Sequence, residues 1–113
     1  MREILHGKIH NATVTEADLG YIGSITIDED LIKAVGFWEG QKVLVTSNTS
    51  GSRLETYVIR APAGSGTICM NGAASHLIKK GEKVIIMGFE VSDKPIVPKI
   101  ALVDDSNKII RYL

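Results

Sequence analysis

Short runs of β-branched and apolar residues, separated by Gly, Pro, Asn and Asp, most constrain the fold of this chain of 113 residues. Runs bounded by turn residues in this way predict strands. The predicted strands are residues 8–15, 21–27, 42–46, 56–61, 67–70, 83–91, 100–103 and 108–112. The run 83–91 is apolar enough to predict a buried strand. Many short strands with tight turns favour a mainly β fold and a small closed barrel over a layered α/β fold.

Two short helices are predicted between these strands. Asp28 is a typical N-cap residue, apolar residues follow it at helical spacing, and Gly36 suits the position just after the last helical turn. Residues 73–78 predict one or two further helical turns, which end by Gly81. Both helices are short, so the chain is expected to remain mainly β.

Length, charge and hydropathy exclude several classes of protein. At 113 residues the chain is expected to form a single domain, residues 1–113. Its formal net charge is zero, so it lacks the basic surface that binding to nucleic acid requires. The first residues lack the apolar region of a signal peptide, and no apolar run is long enough to span a membrane. We therefore expect a cytoplasmic protein that binds neither nucleic acid nor membrane.

Histidine and cysteine usage predicts no metal site. His6 and His10 are spaced i,i+4, but their segment predicts a strand, and no third ligand follows at a suitable spacing. The single cysteine, Cys69, excludes an intrachain disulfide and a thiolate cluster, and it is expected to be a small core residue. Residues 64–66, Gly-Ser-Gly, lack the Gly-Lys-Ser/Thr ending of a phosphate loop and predict a turn.

The surroundings of the pair Gly23-Ser24 are unusual. The chain has two other Gly-Ser pairs, but only this one is followed by an apolar, β-rich run, where a turn dipeptide is not expected. The pair fits two interpretations. It is either an ordinary part of a strand or a bond that the chain cuts itself, because an activated Ser hydroxyl can attack the preceding carbonyl group.

Further residues could bind or protonate a substrate. Arg53, Thr56 and Tyr57 offer a carboxylate clamp, a hydroxyl donor and a phenolic acid within one short segment. Residues 71–74, Asn-Gly-Ala-Ala, precede the second predicted helix, where backbone N–H groups can hold a carboxylate. Each feature alone also fits an ordinary strand, turn or surface cation.

Together and in this order, these features resemble those of the pyruvoyl-dependent aspartate 1-decarboxylases, which make β-alanine for pantothenate synthesis. The matching pieces are Lys8, Gly23-Ser24, Arg53-Leu-Glu-Thr-Tyr57 and Asn71-Gly-Ala-Ala74. The resemblance implies a six-stranded double-psi β-barrel with short helices. It also implies a homotetramer with active sites between subunits and L-aspartate as the substrate.

The resemblance further implies a covalent pyruvoyl group as the cofactor, with neither pyridoxal phosphate nor a metal. Ser24 would attack the carbonyl group of Gly23, cut the chain into residues 1–23 and 24–113, and become the pyruvoyl group. Ser suits this chemistry because its oxygen first attacks and later leaves. Backbone strain at Gly23 is one expected source of activation. Whether the cut is spontaneous or needs a maturation factor stays open.

Individual residues take roles through the same resemblance. Thr56 matches the donor to the oxyanion that forms on the Gly23 carbonyl group, and it also matches a substrate-binding position. Tyr57 matches the proton donor to the decarboxylated substrate, and a phenol keeps its proton at neutral pH. The other substrate-binding positions are Lys8, Arg53, Gly72, Ala73 and Ala74, and the supporting positions are His10 and Asn71.

Two alternative functions stay open at the level of the sequence. The chain could be a non-enzymatic double-psi barrel that binds a partner and is never cut. It could also be a pyruvoyl decarboxylase of another amino acid, because the amino group and the α-carboxylate are common to all such substrates. A stable uncut chain would favour the first alternative, and equal turnover of glutamate and aspartate would favour the second.

Overall fold

The computed structural model describes residues 1–20 and 23–113, and most of its elements agree with the sequence predictions. The first two residues of the predicted strand 21–27 lie outside the described residues. The strands are β1 Arg2–Thr13, β2 Glu16–Asp18, β3 Ser24–Asp28, β4 Lys42–Ser47, β5 Arg53–Ala61, β6 Ile68–Asn71, β7 Lys83–Ser92, β8 Lys99–Val103 and β9 Ile109–Tyr112. The helices are α1 Glu29–Val35 and α2 Ala74–Leu77.

The strands of the described residues form one continuous sheet in the order β2-β6-β3-β5-β4-β7-β1-β8-β9. Three neighbouring pairs are parallel, namely β1 with β8, β2 with β6 and β3 with β5. Apolar side chains from β1 and from β3 to β8 join one buried cluster, so the sheet surrounds a single core. The prediction of a mainly β fold with short helices is confirmed, and the six-stranded double-psi arrangement stays a prediction.

Strand β1 lies in the interior of this sheet. It pairs with β7 in antiparallel fashion on one side and with β8 in parallel fashion on the other. Ile9 and Ala12 of β1 have no exposed surface. The strand begins at Arg2, earlier than predicted, because β7 is long enough to pair with the polar residues before residue 8. Strand β1 is therefore fixed by hydrogen bonds along both of its edges and by the packing of its side chains in the core.

Helix α1 follows β3 directly, and its ends are those that the sequence predicts. The Asp28 carboxylate accepts a hydrogen bond from the backbone N–H of Asp30, and Gly36 ends the helix in the left-handed conformation with φ of 76°. Helix α2 is a single turn that ends at Ile78, before the predicted stop at Gly81.

A pair of glycines allows the end of α1 to pack closely against the sheet. Gly7 of β1 and Gly88 of β7 lie opposite each other. A Cβ atom on Gly7 would lie 2.2 Å from the carbonyl oxygen of Val35, and one on Gly88 would lie 2.5 Å from the Phe37 ring. Any larger residue at either position would therefore push the end of α1 away from the sheet.

Besides the earlier starts of β1 and β5, two further strands differ from the sequence predictions. Strand β2 is absent from the predictions because three residues are too few for an alternation to be recognised, and its pairing with β6 makes it a strand. Strand β7 was predicted to be buried, but its residues alternate between buried and partly exposed. One face of β7 packs on the core while the other stays partly open, as is common in antiparallel sheets.

Candidate active site

An open cleft of about 420 Å³ lies beside the start of β3. Five predicted site residues line it, namely Gly23, Thr56, Tyr57, Ala73 and Ala74, and the other lining residues are Leu54, Glu55 and Leu77. The parallel pairing of β3 with β5 explains this gathering. Because Ile25 lies opposite Val58, the start of β3 lies beside the middle of β5, where Thr56 and Tyr57 stand.

The Gly23-Ser24 bond lies at the boundary between this cleft and the core. Gly23 is exposed and lines the cleft, whereas Ser24 has no exposed surface. The φ angle of Gly23 involves a residue outside the described part of the chain, so backbone strain at this bond stays a prediction. The burial places the Ser24 hydroxyl in a site from which bulk water is excluded.

Three polar side chains accompany Ser24 on one face of the sheet. Strands β3 and β6 are antiparallel, so that Ser24 lies opposite Asn71 and Thr26 lies opposite Cys69. Alternate residues of a strand share a face, and the residues between these four are buried apolar side chains of the core. We call this group the polar quartet: Ser24, Thr26, Cys69 and Asn71.

The side-chain amide of Asn71 is the centre of the polar quartet. Its Nδ2 atom donates to the Oγ of Ser24 and to the Oγ1 of Thr26, both at 2.8 Å. Its Oδ1 atom accepts from the Sγ of Cys69 at 3.1 Å. Asn71 is itself buried, so these bonds hold the amide in one orientation against the Ser24 oxygen.

Cys69 is buried, as predicted, but it is also a hydrogen-bond donor to Asn71. Burial raises the pKa of the Cys69 thiol above its ordinary value, and the nearby carboxylates of Glu16 and Asp18 raise it further. The thiol therefore keeps its proton at neutral pH and can donate. This side chain is part of the site and more than a filler of the core.

Thr56 and Tyr57, both lining the cleft, carry side-chain hydroxyl groups. Neither hydroxyl has a hydrogen-bond partner among the described residues, and the Tyr57 side chain is partly exposed, at 37%. Both groups can therefore bond to a ligand or to the Gly23 carbonyl group without first breaking a bond to the protein. Their predicted roles as oxyanion donor and proton donor stay predictions.

The turn between β6 and α2 contributes fewer backbone donors than its sequence suggests. The N–H of Gly72 donates to the carbonyl oxygen of Asp18 at 2.8 Å, so this donor is already used. The amides of Ala73 and Ala74 have no such partner in the part of the chain that the structure describes. These two amides, at the cleft wall, are the ones that could bind a carboxylate.

Three predicted site residues, Lys8, His10 and Arg53, do not line this cleft. Lys8 and His10 are on β1, which β5, β4 and β7 separate from β3 in the sheet order. Arg53 is exposed at the start of β5 and, like Lys8 and His10, is not among the described residues that line the cleft. The Nδ1 atom of His10 is buried without a hydrogen-bond partner in the described part of the chain. One chain therefore assembles only part of the predicted site.

The spacing of Thr26 and Cys69 in the sequence indicates that they belong to the site. Thr26 and Cys69 each stand two residues from a predicted site residue within a predicted strand, a spacing that places side chains on the same face. Glu55, Leu54 and Leu77 line the cleft through strand pairing and chain folding that no local pattern specifies.

The described residues contain no group of three or more side chains placed to hold a metal ion. Within the same ranges, no helix combines the length and the apolar character needed to cross a bilayer.

Comparison with known proteins gives a consistent match along nearly the whole chain. Residues 1–110 match the family model described as aspartate decarboxylase. The chain is 53% identical to an aspartate 1-decarboxylase from Bacillus velezensis and 52% identical to one from Bacillus subtilis, over 99% of this chain and 91% of each relative. It is 54% identical to the aspartate 1-decarboxylase of Caldicellulosiruptor saccharolyticus, over 96% of this chain and 88% of that one. The chain therefore belongs to the aspartate decarboxylase family.

Proposed function

We propose that the chain is a carboxy-lyase that converts L-aspartate to β-alanine and CO2, for pantothenate synthesis, after cutting itself between Gly23 and Ser24. The observation that carries this proposal is the cleft at the start of β3. This cleft is lined by Thr56, Tyr57 and the exposed Gly23, and Gly23 directly precedes the buried Ser24. These are the groups that the cut and the later protonation require. The chain that carries the cleft belongs to the aspartate decarboxylase family.

Self-cleavage begins with attack of the Ser24 Oγ on the carbonyl carbon of Gly23. The C–N bond between the two residues breaks, the hydroxyl proton moves to the freed nitrogen, and an ester is formed. Negative charge develops on the Gly23 carbonyl oxygen during this step, so a positioned donor lowers the barrier. The Thr56 hydroxyl fits this part, because it lines the same cleft as Gly23.

The residues around Ser24 fit a pyruvoyl group formed at this position. When present, such a group supplies a ketone that condenses with the substrate's amino group and accepts the electrons released by decarboxylation. Asn71 supports residue 24 before the cut, because its Nδ2 donates to the Ser24 oxygen. Tyr57 holds a proton at its phenol oxygen and delivers it to the substrate carbon that has lost CO2.

A complete site is proposed to need a second copy of the chain. Lys8, His10 and Arg53 match the family's site positions, yet one chain keeps them out of the cleft at Gly23. We infer that a homotetramer forms and that neighbouring subunits bring these cations to the substrate carboxylates, where Arg53 can bind one through two parallel hydrogen bonds. The inferred fold of each subunit is the six-stranded double-psi barrel.

Co-expression of two inactive variants tests the shared site. Lys8→Ala and Tyr57→Phe each damage one part of the site. If these parts come from different chains, mixed tetramers contain some sites with both residues intact and recover activity. If both come from one chain, the mixture stays as inactive as the separate variants. Recovery should disappear when both substitutions are placed on the same chain.

The first experiment is an intact mass measurement of the purified protein under denaturing conditions, together with an assay for β-alanine. We expect a piece with the mass of residues 1–23 and a second piece, residues 24–113, with a pyruvoyl group at its start. A full-length chain that persists after warming and is inactive would favour the non-enzymatic barrel. Cleavage only after addition of cell extract would assign the cut to a maturation factor.

The substrate is tested in the same assay. L-Aspartate and L-glutamate differ by one methylene group, so a cleft closed by two cations at fixed positions should prefer aspartate by at least about tenfold in kcat/KM. Equal turnover would favour a decarboxylase of another amino acid. The presence of one cysteine, Cys69, and of no intrachain disulfide fits the reducing cytoplasm that we propose as the location.

A further inference from the structure

We propose that Cys69 is a positioning residue for self-cleavage, and that its thiol fixes the Asn71 amide so that the NH2 group faces Ser24. The inference rests on the proposed function, because it concerns the cut between Gly23 and Ser24. It assigns a task to a residue on β6 that neither lines the cleft nor touches the substrate.

Cys69 favours one orientation of the Asn71 amide. A hydroxyl group can donate or accept, so residue type alone would let Ser24 and Thr26 bond to either end of this amide. A thiol is a donor and only a weak acceptor. With Cys69 at 3.1 Å, the amide oxygen is favoured on the Cys69 side, and the NH2 group is left to the two hydroxyls at 2.8 Å.

The surroundings of Cys69 keep it a donor. The side chain is only 7% exposed, and β2 places Glu16 directly opposite Cys69 on β6 and Asp18 opposite Asn71. Nearby carboxylates disfavour a thiolate, which could not donate to the Asn71 oxygen. The carboxylates of the edge strand β2 thus influence Ser24 indirectly, through the side chains of Cys69 and Asn71.

The orientation matters most for the second step of the cut. In the ester, a proton passes from the α-carbon of residue 24 to water, and the electron pair left behind forms a double bond to the β-carbon. The bond between the β-carbon and Oγ breaks, and Gly23 departs as a carboxylate that keeps Oγ. Water then hydrolyses the resulting dehydroalanine to the pyruvoyl group and ammonia. The Asn71 NH2 group donates to the Oγ atom, which takes up the electron pair, so it stabilises the departure of Gly23.

The experiment follows the cut in freshly prepared full-length chain by intact mass, with each time point divided in two. One half is treated with hydroxylamine under denaturing conditions, which cleaves an ester and releases a piece that starts with an unmodified Ser24. The compared chains are the unchanged protein, Cys69→Val, Cys69→Ala and Cys69→Ser. Val removes the donor and adds volume, Ala removes the donor and loses volume, and Ser restores a donor.

We expect the pyruvoyl piece to appear about tenfold more slowly in Cys69→Val and Cys69→Ala, the effect of losing one directed hydrogen bond. The hydroxylamine-sensitive ester should accumulate in both variants. In Cys69→Ser the slowing should be less than about threefold. The matched control is Ile68→Val, which weakens the same strand on its core face and should leave the rate and the ester level unchanged.

Three outcomes would overturn the inference. Cys69→Val could be cut at the unchanged rate, or slowed without any ester, or Ile68→Val could be slowed equally. If Cys69→Val does not fold, Cys69→Ala gives the same readouts. A failure of the proposed function is distinguishable, because the unchanged chain itself would then yield neither ester nor pyruvoyl piece.

Discussion

Strand β3 has a fully buried polar side chain at each end, and the two are held in different ways. Ser24 at the start accepts a hydrogen bond from the Asn71 side chain. Asp28 at the end is held by the backbone, and its carboxylate accepts from the N–H groups of Asp30, Gly64 and Gly66. Backbone donors cannot leave without unfolding the loop, whereas side chains can turn and exchange partners. The Asp28 end is therefore the more firmly fixed of the two, and the Ser24 end is where we propose the cut.

The largest effect is expected from Ser24→Ala, which removes the nucleophile. The variant should remain a single full-length chain without decarboxylase activity, while its free energy of unfolding falls by about 1–3 kcal/mol, because the buried Asn71 NH2 group loses an acceptor. Intact mass and thermal unfolding measure the two effects. Any cleavage of this variant at the same bond would contradict the proposed mechanism.

Tyr57→Phe tests whether chemistry at the Ser24 end extends to the neighbouring strand. The variant should still be cut, because the ester forms without the phenol, but kcat should fall by about a hundredfold when the proton donor is missing. The measurements are intact mass for the cut and β-alanine formation for the turnover. Near-normal turnover would show that Tyr57 is not the proton donor.

Asp28→Asn tests the structural end of the strand. One carboxylate oxygen becomes an NH2 group that faces a backbone N–H, so the free energy of unfolding should fall by about 2 kcal/mol. The midpoint of denaturant unfolding of the uncut chain measures this loss. The cut should proceed normally in the folded variant, and loss of the cut in a stably folded variant would refute the division of tasks between the two ends.

The smallest expected effect on stability is that of Glu82. Like Asp28, this carboxylate accepts hydrogen bonds from the protein, but it lies near the surface. Hydrogen bonds from the Ser47 hydroxyl and the Lys79 N–H lower its pKa. A lowered pKa stabilises the fold above the ordinary pKa of the group, and this contribution is lost as the pH falls through the lowered value. Glu82→Gln should therefore cost less than about 1 kcal/mol at pH 7. A stability difference between the two chains that persists in strong acid would contradict this account.

The sequence predicts the parts of the molecule that depend on local chemistry. The caps of α1 at Asp28 and Gly36 are such parts, because each follows from a preference of one residue type. Strand β2 could not be predicted, since a neighbour rather than its own residues makes it a strand. The meeting of Gly23 with Thr56 and Tyr57 depends on the parallel pairing of β3 with β5, which no local pattern specifies. The resemblance to a known family supplied the same residues without the geometry.

The interior position of β1 has a consequence for a chain cut after Gly23. The piece 1–23 would stay bound between β7 and β8, with Ile9 and Ala12 in the core, so the cut should not release it. Once denatured, however, the cut protein would have to reassemble from two separate molecules. Its refolding rate should rise with protein concentration, while the uncut Ser24→Ala chain should refold at a rate independent of concentration. Each mature subunit would in effect be a non-covalent heterodimer whose dissociation is its unfolding.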